Sequence, residues 1–401
     1  MSQSGAPKPA GRTDPFQESV IREMTRLGDE SGAVNLSQGL PDFNPPDEVL
    51  EAAVKAIRSG DNQYTFPFGT PEFRKAVAGK SETYNRIPAD PETEVTITCG
   101  VSEAIMAAIL GLTDPGDEVI IIEPWYENYV PDCLMAGVNP KFVPLSRGDF
   151  RLDLEELRAA FGGRTRLIIL NTPHNPTGKV FSREELEGIA ELCQEYNTIA
   201  VTDEIYEHIY YEGYKHISVG SFPGMRNRTV TISGLGKSYS VTGWRVGWTL
   251  AAEPLSAAIR KVHDYLTVCA PSPFQAAGIA ALSLPEDYYT GMREQYRSRR
   301  KILLDELGRL GVPYSPPQGA YYVMADISGL DWPEDAYRRD EWTSDRAFAE
   351  YIAREIGVAV VPGSSFYTTK DRGLREVRFN FAKTENTLRE AAARLRKLRK
   401  T

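Results

Sequence analysis

An α/β architecture built on a mostly parallel sheet is the fold class this sequence predicts, and three observations predict it. Short apolar runs recur from about residue 49 onward, helical patterns separate them, and polar clusters follow directly behind several of the runs. The runs read as buried strands at 117–123, 166–170, 198–202, 229–233 and 247–251. Between the second and third, Ser182 with Glu185 three positions on makes a capping box, and Leu186, Ile189 and Leu192 then recur at helical spacing. Residues 286–310 read as a long charged helix that leaves the large unit. Strand-like and helical pieces of a second unit follow, ending in an Arg/Lys-rich amphipathic helix over 384–399 whose cations suit its C-terminal dipole.

Composition narrows the partners. With 401 residues, 41 % of them hydrophobic and 25 % charged, the chain can bury a large core. A formal net charge of -9 disfavours broad electrostatic binding of nucleic acid and leaves small molecules as the expected partners. Cys99, Cys133, Cys193 and Cys269 lie far apart and form no CxxC pair, which fits reduced thiols in the cytoplasm. The four histidines make no HExxH set, so no metal site is expected. The first fifteen residues read as a loose polar arm without a secretory h-region, and apolar runs such as 119–122 and 167–170 fall far short of the roughly 20 residues of a membrane span. A cytoplasmic protein without membrane contact is the expectation.

Three polar clusters carry the chemistry: Asn171 to Gly178, Asp203 to Tyr206, and Ser233 to Ser238. Each follows a predicted strand, and ligands of open α/β sheets sit outside the carboxyl ends of strands, so the clusters should converge on one site. Gly236, Lys237 and Ser238 do not end a phosphate-binding P-loop, because Thr231 occupies the place of its first glycine. No dinucleotide-binding glycine fingerprint is present either.

The run Gly-Lys-Ser-Tyr-Ser-Val-Thr-Gly-Trp-Arg-Val-Gly-Trp at 236–248 resembles the cofactor-lysine segment of class I aminotransferases. Segments 35–42, 62–64, 98–104, 123–126, 175–178, 203–206, 317–321 and 377–381 match the same family in order and spacing, over nearly all of residues 16–400. Among subgroups, the kynurenine, glutamine and broad-range aspartate aminotransferases are the most similar. The resemblance implies a fold type I transferase dependent on pyridoxal 5'-phosphate, with a seven-stranded type of sheet in a large domain at 49–294. Residues 295–401 would form a smaller discontinuous α+β domain, joined by part of 1–48.

It also implies roles for particular residues. Lys237 would hold the cofactor as a Schiff base and then move the substrate's Cα proton, which demands an amine of lowered pKa. Asp203 would pair with the ring nitrogen and deepen the electron sink. Asn175 and Tyr206 would meet the ring's phenolic oxygen, and Tyr126 would stack on the ring unless neighbouring Trp125 does so. The phosphate would rest on Gly100, Val101 and Ser102 at a helix start, with Arg245 as its cation. At Gly234 many relatives carry a phosphate-binding serine, so either Ser233 or Ser238 substitutes or the contact is absent. Tyr64 would reach the phosphate of a neighbouring subunit, which implies a homodimer with shared sites.

For the substrate, Arg378 would pair with the α-carboxylate, helped by Asn175, and Gly39 would let the backbone approach. The stretch 267–274 holds no arginine, so a dicarboxylate-only enzyme is not expected. Transamination between an L-amino acid and a 2-oxo acid is the leading expectation. The same residues would also serve a β-lyase acting on cysteine conjugates, or an oxidative deaminase or decarboxylase. A regulatory protein without turnover is disfavoured, since no added DNA-binding segment is visible.

Overall fold

The computed structural model describes residues 8–16, 18–339, 342–369 and 371–400. Part of the expected loose arm, residues 1–7, lies outside the described residues. Strands β1 (Val34–Asn35), β2 (Val95–Thr98), β3 (Glu118–Glu123), β4 (Asn139–Pro144), β5 (Thr165–Asn171), β6 (Ile199–Asp203), β7 (Thr229–Gly234) and β8 (Gly247–Leu250) come first along the chain. β9 (Tyr322–Asp326), β10 (Leu330–Asp331), β11 (Val358–Ala359), β12 (Val361–Pro362) and β13 (Glu376–Asn380) follow.

Seven of these make one sheet in the order β2-β8-β7-β6-β5-β3-β4. β7, β6, β5, β3 and β4 run parallel, while β8 lies antiparallel to both β7 and β2. Alternation of side chains explains how a continuous apolar strand is consumed on both faces. Ile120 and Ile122 of β3 join Ile168 and Leu170 of β5 in one buried cluster with Leu186, Ile189 and Leu192 of the capped helix Arg183–Glu195. Val119, Ile121, Leu167 and Ile169 enter the opposite cluster with Ile105 and Ile109 of the helix Val101–Leu112.

The five expected strands are all present, with shifted ends. β2 and β4 went unread because β2 has four residues and β4 carries Pro140 and Pro144, which suit only an edge strand. The expected terminal helix stops at Leu395 instead of 399, since the chain turns there and residues 399–400 pair with β10. The 25-residue helix Glu286–Leu310 matches its expected bounds and ends on Gly311 in the left-handed region.

Two features place the site. First, Asn171, Asp203 and Gly234 are the last residues of β5, β6 and β7, and Asn171 and Asp203 stand opposite each other in register. Second, β8 turns back beside β7, so residues 235–246 are a hairpin connection rather than a crossover, and that hairpin carries Lys237 and Arg245. Above this edge, β12, β13 and β9 form a small antiparallel sheet, and β1 pairs with β11. Leu36 donates to Ala359 O and accepts from Asn380 N, which lays residues 37–39 beside β13.

Candidate active site

The strand ends are tied together before any ligand is considered. Asn171 Nδ2 donates to Asp203 O at 2.8 Å and its Oδ1 accepts from Asn175 N at 2.7 Å, so one side chain fixes the cluster behind β5 against the end of β6. Asp203 is buried, accepting from Tyr129 Oη at 2.8 Å and from Ile205 N at 3.3 Å. Burial pushes its carboxyl up to about 6, although Tyr129 and the Ile205 amide pull the other way. A carboxylate held at such a cost is poised for a cationic partner.

Lys237 approaches from the hairpin, its Nζ donating to Gly39 O at 3.0 Å and lying 5.7 Å from the centre of the Tyr206 ring. Burial lowers the amine to about 8; Asp203 opposes that shift, and the charges of Arg378 and Arg245 add to it. Tyr206 shares a hydrogen bond with Tyr322, Oη to Oη 3.0 Å, and stands edge-on to Tyr321.

Arg378 is fully buried on β13. Its guanidinium donates to Asn175 Oδ1 at 2.8 Å and to Ser37 O at 2.6 Å, sits 4.4 Å above the Tyr322 ring, and leaves Nε without a partner. Both acceptors are neutral, so this cation lacks the bidentate anion that its fork geometry suits.

At the other side, Gly100, Val101 and Ser102 open the Val101–Leu112 helix, whose first amides face the site. Arg245 donates to Thr242 O at 3.0 Å and lies so near Gly100 that a Cβ there would stand 2.6 Å from its Nη2.

A cavity of about 540 Å³ gathers these groups. Gly39, Gly100, Val101, Ser102, Tyr126, Asn175, Asp203, Tyr206, Lys237, Arg245 and Arg378 all line it. Trp125 and Tyr126 both pack against the apolar cluster beneath, and of the two Tyr126 lines the cavity. Ser233 is a correction: its Oγ donates to Glu207 Oε1 at 2.6 Å, because β7 turns that side chain away from the cavity. Ser238 is buried and does not line the cavity either. A side chain at Gly234 would meet Val246 O at 2.8 Å, so the chain just before β8 leaves no room for a serine there. Tyr64 is 82 % exposed and outside the cavity.

Sequence reasoning missed Tyr129, Asn171's bridging role, Tyr322 and Arg22, the last three of which also line the cavity. Tyr129 opens the helix Tyr129–Ala136, and Tyr126 in the segment just before it stands edge-on to it with ring centroids 5.7 Å apart. Gly39 offers a direct test. A Cβ there would lie 1.8 Å from Tyr322 Oη, so Gly39→Ala should displace that tyrosine and raise KM by roughly tenfold or more. Adding Tyr322→Phe should recover part of the loss; steady-state KM values for the single and double variants check this.

The donor set fits the implied cofactor. Pyridoxal 5'-phosphate needs an amine of lowered pKa, a buried anion for its ring nitrogen, and donors for a phosphate; Lys237, Asp203, and Arg245 with the helix start could hold those parts. The orphan Nε of Arg378 leaves a buried donor on the same cavity that one further anion could meet. Behind the site, Glu204, Glu207 and His216 stand close enough to ligate a cation, but Lys80, Asn85 and Ser218 already fill their oxygens with donors.

Residues 31–395 match the family model for class I and II aminotransferases. Human kynurenine–oxoglutarate transaminase 1 is 37 % identical, the match covering 97 % of each chain, and the methionine aminotransferase of Escherichia coli is 35 % identical over 97 % of this chain and 98 % of that one. The solved structure of N-succinyldiaminopimelate aminotransferase from Mycobacterium tuberculosis superposes with a TM-score of 0.91 at 38 % identity, covering 97 % of this chain and 99 % of that one. With the Lys237 hairpin, the Asp203 strand end and this full-length likeness together, the chain belongs to the class I and II aminotransferases, pyridoxal-5'-phosphate-dependent enzymes of fold type I that transfer amino groups.

Proposed function

We propose that the chain moves the amino group of an L-amino acid with an apolar, aromatic or thioether side chain to a 2-oxo acid, using the residues gathered in the cavity. The observation that carries this reading is the pair of buried cations, Lys237 with its amine near 8 and Arg378 with an unpartnered Nε, set on the same cavity as the buried Asp203. The bound cofactor supplies an electron sink that acidifies the substrate's Cα–H. Arg378 receives the α-carboxylate, an interaction worth about 2–5 kcal/mol in a dry site. Lys237 Nζ takes the proton from Cα and returns it. Asp203, oriented by Tyr129 and the Ile205 amide, would set its negative charge against the ring nitrogen. Asn175 Oδ1 accepts from Arg378, which leaves its Nδ2 hydrogens free to donate, with the Tyr206 hydroxyl, to the phenolic oxygen these residues would hold. Tyr126, on the cavity wall, would cover the ring and exclude water.

The substrate class rests on Ile21 and Leu40 in the cavity lining and on relatives named for kynurenine and methionine. A homodimer is part of the proposal, supported by the exposed Tyr64, Phe66, Tyr265, Leu266 and Val268, an apolar group that a second copy would cover. So is the division into domains at 49–294 and 295–401, supported by the β1–β11 pairing that draws residues 34–35 to the second unit.

Purified holoenzyme should be given methionine, phenylalanine, kynurenine, N-succinyldiaminopimelate and aspartate, each with 2-oxoglutarate. Glutamate is the expected product, formed faster from the first three than from aspartate. Preference for aspartate would overturn the substrate class, and pyruvate with ammonia from a cysteine conjugate, without glutamate from any donor, would overturn transamination.

A further inference from the structure

Seating a phosphate on the start of the Val101–Leu112 helix leaves one nearby charge to be explained. Glu103 stands in the first turn of that helix, and its Oε2 accepts from Cys99 N at 2.9 Å, bracing the turn just ahead of Gly100. A carboxylate suits a helix start, but it repels a phosphate dianion bound at the same place.

The other carboxylate oxygen meets a buried histidine. Glu103 Oε1 lies 2.9 Å from His263 Nδ1, and His263 Nε2 lies 2.6 Å from Pro67 O. A carbonyl only accepts, so Nε2 carries a hydrogen. The proton between Nδ1 and Glu103 belongs on the ring, because imidazole ordinarily binds it about two pH units more tightly than a carboxyl and the other Glu103 oxygen already accepts from Cys99 N. We propose that His263 is a buried imidazolium that neutralises Glu103 and thereby sets the charge and shape of the phosphate-binding turn at 98–102.

His263 is then a positioning residue for the cofactor, and this role rests on the phosphate seat proposed above. The ring is faced by Glu103 from the Val101–Leu112 helix, by the Pro67 carbonyl, and by Asp264 and Thr267 from its own helix Glu253–Thr267, with Thr267 Oγ1 3.2 Å from Nδ1. Burial alone would lower the imidazole's pKa; Glu103, the Pro67 carbonyl and Asp264 outweigh it and raise the pKa above the ordinary value. The stability this pair contributes is present below the ordinary imidazole pKa and lost as pH rises through the elevated one. The same ring ties the helix start to the segment bearing Tyr64 and Phe66, since Pro67 follows them directly.

Two measurements test this. With only four histidines, ¹⁵N-histidine spectra of the apoprotein, assigned with His263→Gln, should show both ring nitrogens of His263 protonated at pH 7; a bare Nδ1 would overturn the proposal. Equilibrium dialysis of pyridoxal 5'-phosphate should show His263→Gln weakening binding on the order of tenfold, and His263→Gln with Glu103→Gln recovering most of it. A purely structural loss would not be rescued by the second change. Arg245→Gln serves as the control for the seat itself. If it leaves affinity unchanged, the seat is wrong; if it weakens binding while His263→Gln does not, or the double variant fails to recover, the role of His263 falls and the seat stands. Should His263→Gln not fold, the wild-type spectrum, assigned with His208→Gln and His216→Gln alongside His174→Gln, decides the question by itself.

Discussion

Lys237→Ala should lower turnover by about 10⁴-fold or more, because it removes both the proton carrier and the covalent anchor. Borohydride treatment of the cofactor-loaded wild type should fix the cofactor on a peptide containing Lys237, and the variant should show no such label. The fold should survive the change. The amine's pKa near 8 lies below its value in an unfolded chain, so at pH 7 protonation of Lys237 opposes folding, an opposition that fades as pH rises past the ordinary lysine range. The apo variant's Tm at pH 7 should therefore stay within a few degrees of wild type. Turnover near the wild-type rate would overturn the role given to this lysine.

Asp203→Asn is expected to cost about 2–5 kcal/mol of transition-state stabilisation, which is some 30- to several-thousand-fold in kcat, since the ring's positive charge would lose its fixed partner. Stability should move the opposite way or not at all. Burial raises the carboxyl to about 6, so at pH 7 the apo fold holds an ionised group that it would rather protonate; that penalty is absent below the unfolded carboxyl pKa and fully present above about 6. Asparagine keeps the shape and removes the charge. Measuring kcat and apo Tm together separates the readings: a lost rate with a kept Tm supports the electrostatic role, an unchanged rate removes it, and a parallel collapse of both would mark Asp203 as structural.

Much of the fold was legible because central parallel strands are buried on both faces and so appear as continuous apolar runs, as Val119 to Ile122 does. The capping box at Ser182 was legible because its two hydrogen bonds need only two residue types three positions apart. β4 was not, since its prolines are tolerated only at an edge, and being an edge is a property of the assembled sheet. The convergence of the clusters after β5, β6 and β7 followed from the rule for open α/β sheets.

What spacing alone could not supply was the direction of a side chain at a strand's end. Ser233 sits one residue before Gly234, yet the pleat sends its hydroxyl to Glu207. Partners distant in sequence were equally hidden. Nothing near position 103 announces that a histidine 160 residues away will stand 2.9 Å from its carboxylate, and Tyr322 gains its meaning only from the closeness of Gly39.

The hairpin between β7 and β8 has one more effect. It mounts an ammonium and a guanidinium on a single short segment whose two ends are pinned by adjacent hydrogen-bonded strands. A molecule that must touch both therefore has to span the separation between them. Selection by span of this kind works before any side chain reads the ligand's functional groups.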